Sequence, residues 1–563
     1  MKNKYFILFI LLCLAGIFLR LNTLDIPLYD DAGLMAASLK YHDSYYMNFV
    51  NSPHGPMNLI FFIIGAKLFG ISTVGLRFTL FLISMIYLVI LYLFTEKVLD
   101  KETACYAVLF NLFTFFALFN YFIMEPDGVI FSLLSLIIFF SLYMFIESKY
   151  KSKPGLIVSI LCFAFLVSIK HRTGLLILPL FLYIWYAGKK LSKSIFYSSI
   201  YIFCSTTILI GYVLLSYLLY GTETTSYFLT LIFSHNTTHF EILQKILSPS
   251  IFITTLVAMS PLLLFMPLLT LRNLKEKYFI FYCWLSFVPL YLILIPYDYP
   301  YVKYLTGFML PPITILSAAS LVNEKIKKST LGLIVLCTIF TSVAFVYINN
   351  IIPTDYWFFL EAFGPIVKVW QPFIYLVFGI GLLLFIFVLL WKHSSLRTFA
   401  TAFFLILTFS FNIMMIADNV VDKTHKNLIN DARRYYMDHD GEVGTIYAWN
   451  EDIAFYLGNV GFYVQLEEDP YLGNKRYNST VLREYSRSTG MGQQGYIDLD
   501  NPLDTIENYT AEMGGTVFLL NYPYKYIVAA SSDAQEKIDF FDANCLKEQE
   551  TVYKTGSLVI YRC

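Results

Sequence analysis

The chain has 563 residues, 57% of them hydrophobic and 14% charged, with a mean hydropathy of +0.62. Soluble proteins carry about 25% charged residues, so a soluble globular chain is excluded. The 40 basic and 40 acidic residues cancel, which argues against a nucleic-acid partner. Apolar runs of roughly 18 residues or more, enough to cross a bilayer, recur along most of the chain. The expected fold class is therefore an α-helical polytopic membrane protein.

The first run, "MKNKYFILFILLCLAGIFLRL", has the basic start and apolar body of a signal peptide. No small-x-small cleavage site follows, so it reads as an uncleaved first span. About thirteen spans fit residues 1–418, near 5–21, 76–95, 103–121, 128–146, 155–170, 174–187, 195–219, 250–271, 278–296, 304–322, 330–348, 371–391 and 398–417. Alternate connections are short and basic. They hold Lys2 and Lys4, Lys97 and Lys101, Lys149 to Lys153, Lys189 to Lys193, Arg272 to Lys277, Lys325 to Lys328, and Lys392 with Arg397. The positive-inside rule places these in the cytoplasm.

The other connections face outward and are richer in acids, His, aromatics and Pro. They are about 22–75, the "MEPDG" turn, "KHRTG", about 220–249, "YDYPYVKY", about 349–370, and a polar tail from residue 419. Functional loops gather on one face of a rigid scaffold, and here that face is extracytoplasmic. In the first outer loop, Asp31 to Tyr46 has helical spacing, and Met57 to Phe69 is an apolar run too short to span, suited to the interface.

The tail, residues 419–563, reads as a small α/β domain. "KNLINDARRYYMDHD" and "EDIAFYLG" are helix-like, whereas "GTIYAW", "GTVFLLNY" and "SLVIYRC" are strand-like. Asparagines 236, 478 and 508 begin glycosylation-type tripeptides that also arise by chance. Six of the eight cysteines lie in apolar runs as small core residues; Cys545 and Cys563 lie in the tail and can pair in an oxidising compartment.

Each chemical candidate lies on the outward face and carries a plainer reading beside the functional one. Asp30 and Asp31 in "YDDAG" can accept a proton from an incoming hydroxyl or amine, or cap a helix. His54 in "NSPHGPMN" can contact a phosphate or metal, or be a loop histidine. Glu125 and Asp127 are membrane-edge acids, functional by default, or parts of a Pro-Asp-Gly turn.

Lys170, His171 and Arg172 form a cationic cluster suited to a phosphate, unless the topology is misread there. Lys303 can reach an anionic lipid head or serve as an interfacial anchor. His235 and His239, four apart with Glu241 nearby, have a spacing that holds a divalent metal but no further signature.

The order of these motifs carries a resemblance. "LRL" ends the first span; "YDDA", "HGP", "LFGIS…GLRF", "EPDG", "K…TGLLILP" and "KYLTGFMLPP" follow over about the first 320 residues. This order resembles the GT-C class of polyprenyl-phosphate-sugar-dependent glycosyltransferases, which includes protein O-mannosyltransferases and the lipid A aminoarabinose transferase. The resemblance implies a transmembrane catalytic domain over 1–418 and an outward domain over 419–563.

It also implies roles. Asp30 matches the acid of the family's Asp-Glu pair, as general base or acceptor-orienting group, and Asp31 replaces the Glu. His54 takes the place of a phosphate or metal contact, and Asp127 matches the acid of an Arg-Pro-Asp turn in which Glu125 replaces Arg. Lys303 matches a basic phosphate contact, and His235 or His239 an outer-loop metal ligand. The implied activity moves a sugar, with inversion, from a polyprenyl-phosphate donor to a lipid, glycan or protein acceptor, assisted by cations or a divalent metal. The expected location is the plasma (inner) membrane. Two other classes fit a polytopic chain: a lipid-linked-sugar transporter or flippase, and a non-catalytic envelope assembly protein. A transporter favours midplane binding residues and inverted repeats; here the acids gather on one face and no repeat is visible.

Overall fold

The computed structural model describes residues 2–21, 24, 60–113, 128–233, 266–272, 276–294, 302–323 and 424–439, and in the tail also 445–448, 460–465, 493–496, 515–521, 542–543, 545–553 and 556–562. Three of the expected spans, near 330–348, 371–391 and 398–417, lie outside the described residues, as do the Asp31–Tyr46 and "EDIAFYLG" segments.

Helix α1 (Lys2–Leu21) is followed by α2 (Ile60–Phe69) and α3 (Thr73–Val98). The motif "LFGIS" is the joint between the last two. Gly70 ends α2 at φ +83, a left-handed conformation that a side chain disfavours. Ser72 then caps α3, its hydroxyl oxygen accepting from the Gly75 amide at 3.0 Å. Gly65 lets α2 lie directly on α3, because a β-carbon there would collide with the Thr79 side chain.

The bundle continues with α4 (Lys101–Phe113), α5 (Val129–Glu147), α6 (Lys153–Ile169), a 3-10 helix (His171–Leu176), α7 (Ile177–Gly188) and α8 (Leu191–Phe233). Then come α9 (Pro267–Arg272), α10 (Phe279–Leu285), α11 (Phe287–Leu294) and α12 (Val302–Asn323). Among the described residues three helical stretches are long and apolar enough to cross a membrane: Thr73–Val98, Val129–Glu147 and Leu191–Gly211.

Two of the expected spans and loops differ in the bundle itself. The loop expected from residue 220 is a continuation of α8, whose 43 residues reach about 65 Å, twice the thickness of a bilayer core. The span expected over 278–296 is broken into α10 and α11. Pro289 explains the break, since it offers no amide to Leu285 and its ring clashes with that carbonyl.

The basic connections meet at one end of the bundle. Lys97 pairs with Glu147 at 3.3 Å, joining the last turns of α3 and α5. Lys193 lies 4.0 Å from the Tyr150 ring, and Tyr150 stacks on Tyr197. Tyr186 stacks on Phe279 beyond the next basic segment. The packing therefore separates a lysine-rich end from an opposite end. Between them lies an apolar core in which Phe139 stacks on fully buried Trp284 at 4.6 Å, with Phe94 against Phe281 and Phe140.

In the tail, α13 (Thr424–Asp438) packs against a six-stranded sheet. Its strands are β1 (Thr445–Ala448), β2 (Val460–Gln465), β3 (Gln493–Tyr496), β4 (Gly515–Asn521), β5 (Leu546–Tyr553) and β6 (Gly556–Arg562). The order is β3-β2-β1-β4-β6-β5. The first four strands are mutually parallel, while β6 pairs antiparallel with β4 and β5. Cys545, immediately before β5, is disulfide-bonded.

Candidate active site

The end of the bundle opposite the lysine-rich connections collects the starts of α3, α5 and α12 and the ends of α6 and α11. One hydrogen bond ties two of these together. Pro311 lacks an amide, so it cannot bond the carbonyl four residues earlier, that of Gly307. The Ser132 hydroxyl donates to that carbonyl at 2.7 Å. The "LPP" of α12 thus creates an acceptor inside the bundle, and the first turn of α5 satisfies it. Phe131 and Phe308 pack at 5.3 Å beside the bond, and Phe287 of α11 lies 4.3 Å from Phe308.

Two of the sequence candidates lie close in the chain to this tie. Lys303 lies in the first turn of α12, four residues before Gly307, and Asp127 lies five before Ser132. One helical turn rises about 5.4 Å. The basic start of α12 is therefore brought to the end of the bundle where α5 begins, and Asp127 lies outside the described residues.

The third contributor is the "KHRTG" segment, expected as a loop. It folds as the 3-10 helix His171–Leu176, packed against α6, α7 and α11. Lys170 stands in extended backbone at φ −150 and is only 6% exposed. Its carbonyl accepts from both the amide and the hydroxyl of buried Thr173, at 3.0 and 2.8 Å, which locks the turn. Arg172 follows half-buried. An ammonium removed from water in this way is costly, and such residues inside a membrane protein mark functional positions by default.

Two more buried cations lie in "LRL" and "GLRF", which served the sequence reading only as landmarks. Arg20 is 2% exposed in the last turn of α1, its guanidinium donating to the carbonyls of Gly16 and Leu112 at 3.2 and 3.3 Å. Arg77 is fully buried near the start of α3. An arginine inside an apolar run at a span end was the signal available for both. Beside Arg20's helix, Asn111 donates to the Tyr87 hydroxyl at 2.6 Å, a second polar contact within the bundle.

Asp30, Asp31, His54, Glu125, His235 and His239 lie outside the described residues. No group of three or more His, Cys, Asp or Glu with metal-holding geometry occurs among the described residues.

Two comparisons with known proteins find similarity. Residues 53–212, which include Arg77, Lys170 and Arg172, match the model of the dolichyl-phosphate-mannose-protein mannosyltransferase family. The fold is shared with ArnT from Cupriavidus metallidurans. Its structure bound to undecaprenyl phosphate aligns with a TM-score of 0.66 at 10% identity, over 100% of this chain and 98% of that one. Its apo structure aligns with a TM-score of 0.63 at 12% identity over the same shares. No curated protein matches the chain by sequence. The matched segment is similar to that family, and the fold is similar to that of ArnT.

Proposed function

We propose that this chain transfers a sugar from a polyprenyl-phosphate donor to an acceptor on the extracytoplasmic side of the membrane, inverting the anomeric carbon. The reading is supported by the burial of Lys170, with Arg172 half-buried two residues on, and by the hydrogen bond that ties the start of α5 to the start of α12, the helix that carries Lys303. A lipid phosphate leaving group gathers negative charge as its bond to the sugar breaks. Fixed cations in a water-poor site stabilise that charge strongly. Undecaprenyl phosphate bound to the ArnT structure is a ligand of the corresponding chemistry.

In the proposed reaction the acceptor's hydroxyl or amine attacks the anomeric carbon from the face opposite the phosphate. Asp30 takes the acceptor's proton, and the electron pair of the broken C–O bond stays on the phosphate oxygen. Lys170, Arg172, Lys303 and His54 hold the phosphate. Asp31 and Asp127 orient the acceptor and the sugar. A divalent metal on His235 and His239 would add positive charge near the leaving group.

The compartment follows from two supports. The lysine-rich connections share one end, as cytoplasmic loops do. The tail carries disulfide-bonded Cys545, which suits an oxidising compartment outside the cytoplasm. We place residues 1–418 in a transmembrane catalytic domain and 419–563 in an extracytoplasmic domain, within a plasma-membrane protein.

The test has two parts. Mass spectrometry of envelope glycans and glycolipids, with and without the gene, should show one sugar missing from one acceptor. Asp30→Asn should lower transfer by about 10²–10⁴-fold at unchanged protein level, the range a general base supplies. Full transfer by Asp30→Asn with extracted polyprenyl-phosphate sugars would remove Asp30 from the base role. Transfer insensitive to EDTA would remove the metal.

A further inference from the structure

Two connections at the lysine-rich end are built alike. Helix α5 is followed by Lys149 at φ +55 and Tyr150 at φ +69, and α7 by Lys189 at φ +50. These left-handed positions just past a helix end usually fall to Gly, because a side chain there is strained. Lysine stands at both. Strain of this kind persists only where the surroundings hold it, and it gathers at functional sites.

The Ser148 hydroxyl accepts from the Lys151 and Ser152 amides at 3.1 and 2.8 Å, which closes the first turn. Tyr150 then reaches across to the second. Its ring stacks on Tyr197 of α8 at 5.8 Å, and the Lys193 ammonium lies 4.0 Å from its centre. Phe145 sets an edge against both tyrosines. Gly188 allows the approach, since a β-carbon there would stand 2.6 Å from the Tyr150 hydroxyl. The two turns are held as one unit.

That unit concentrates charge. Lys149, Lys151, Lys153, Lys189 and Lys190 are exposed, and Lys193 is half-buried. No acid occurs between Ser148 and Lys193, and Glu147 just before them pairs with Lys97. Ammonium groups gathered without a carboxylate among them repel one another, so the complement of this surface is an anion.

The neighbouring surface says which anion. Helices α6 and α8 start at these turns and run side by side, tied where the Tyr201 hydroxyl donates to Ser159 at 2.6 Å and Phe163 packs on the Tyr201 ring. Ile157 and Leu161 on α6, and Phe196 and Phe203 on α8, are each more than half exposed. At 1.5 Å per residue this apolar slope runs from the lysines about 12 to 18 Å along the helices. A soluble anion would use only the charge. A phospholipid uses both, with its phosphate on the lysines and its chains on the slope.

We propose that the turns Ser148–Lys153 and Gly188–Lys193 form a site for an anionic phospholipid of the leaflet that meets the lysine-rich end. Basic pockets between membrane helices hold such head groups. The site lies at the opposite end of the bundle from Lys170, and it does not depend on the glycosyltransferase reading.

The experiment uses full-length protein in phosphatidylcholine nanodiscs with a small fraction of spin-labelled lipid, and electron spin resonance reads the label immobilised on the protein. Wild type should hold labelled phosphatidylglycerol at least about tenfold more strongly than labelled phosphatidylcholine. Lys149→Gly with Lys189→Gly removes two charges and relieves both strained residues. Thermal stability in pure phosphatidylcholine should then hold or rise, while the preference falls about tenfold. Lys151→Gln with Lys190→Gln leaves the helix ends untouched and should lower the preference by a similar factor. Lys97→Ala, at the same end but paired with Glu147, should leave it unchanged.

Equal binding of the two lipids by wild type, or an unchanged preference in either folded double variant, overturns the proposal. An equal loss in Lys97→Ala also overturns it, since overall charge would then be the cause. So does displacement of the labelled lipid by inorganic phosphate where sodium chloride of the same ionic strength has no effect, because the turns would then hold a soluble anion.

Discussion

Both ends of the membrane bundle carry cations, and the protein treats them in opposite ways. At the lysine-rich end the charges stay wet: Lys97 and Glu147 pair with side chains 46% and 42% exposed, and Lys101 reaches Glu96 while 80% exposed. At the other end they are taken out of water, with Arg77 fully buried, Arg20 at 2% and Lys170 at 6% exposure. Exposed pairs contribute little to stability, typically 0–1 kcal/mol, and their service is to orient the chain in the membrane. Buried cations cost several kcal/mol to desolvate. Inside the bundle protein groups offset part of that cost, as the Gly16 and Leu112 carbonyls do for Arg20. In the proposed reaction Lys170 and Arg172 also meet a phosphate.

The largest effect that would separate the two ends concerns Arg77. Arg77→Leu should destabilise the bundle by about 3 kcal/mol or more, because the buried groups that meet the guanidinium lose their partner inside the protein. Thermal unfolding in detergent measures this, and a change below about 1 kcal/mol would make the burial incidental. Lys170→Met comes next. It keeps the volume and removes the charge, so the fold should survive while kcat/KM for the lipid-phosphate donor falls by about 10²-fold, the scale of one lost oxyanion-stabilising contact. A loss confined to the acceptor's KM would contradict a phosphate role. At the wet end, Lys97→Ala should alter stability by less than about 1 kcal/mol and transfer not at all.

The sequence showed the two ends more clearly than it showed the site. Charge alternation separates lysine-rich from acid- and aromatic-rich connections because insertion into a membrane acts on each short loop independently, and such local rules survive in a one-dimensional reading. The tail strands "GTIYAW", "GTVFLLNY" and "SLVIYRC" were legible for the same reason: β1 and β4 fall within the first two, and β6 overlaps the third over Ser557–Arg562. Their order in the sheet was not, since strand pairing is set by contacts far apart in the chain. The "KHRTG" segment was legible as a cationic cluster. That Lys170 is buried depends on α6, α7 and α11 closing around it, which no spacing reveals. Arg20 and Arg77 were passed over because a single arginine at a span end reads as an interfacial anchor. The unbroken α8 was missed because "YGTETTSYF" looks like loop composition, while the chain there keeps its helical hydrogen bonds.

The smallest expected effect tests how the site end is assembled. Ser132 matters only because Pro311 has left the Gly307 carbonyl without an amide four residues later. Ser132→Ala alone should therefore cost about 0.6 kcal/mol, the average for an interhelical hydrogen bond within a membrane, and should loosen the start of α12 against α5. In Pro311→Ala the carbonyl gains an amide within its own helix. Adding Ser132→Ala to that background should then cost almost nothing. The two substitutions should be coupled by nearly the whole value of the bond, as a double-mutant cycle measures. If the Ser132→Ala cost is the same in both backgrounds, the serine is not compensating for the proline. The α5–α12 contact would then rest on Phe131 and Phe308. If the coupling is found and donor use falls with Ser132→Ala, the same hydrogen bond that repairs a broken helix also sets where the donor's phosphate is held.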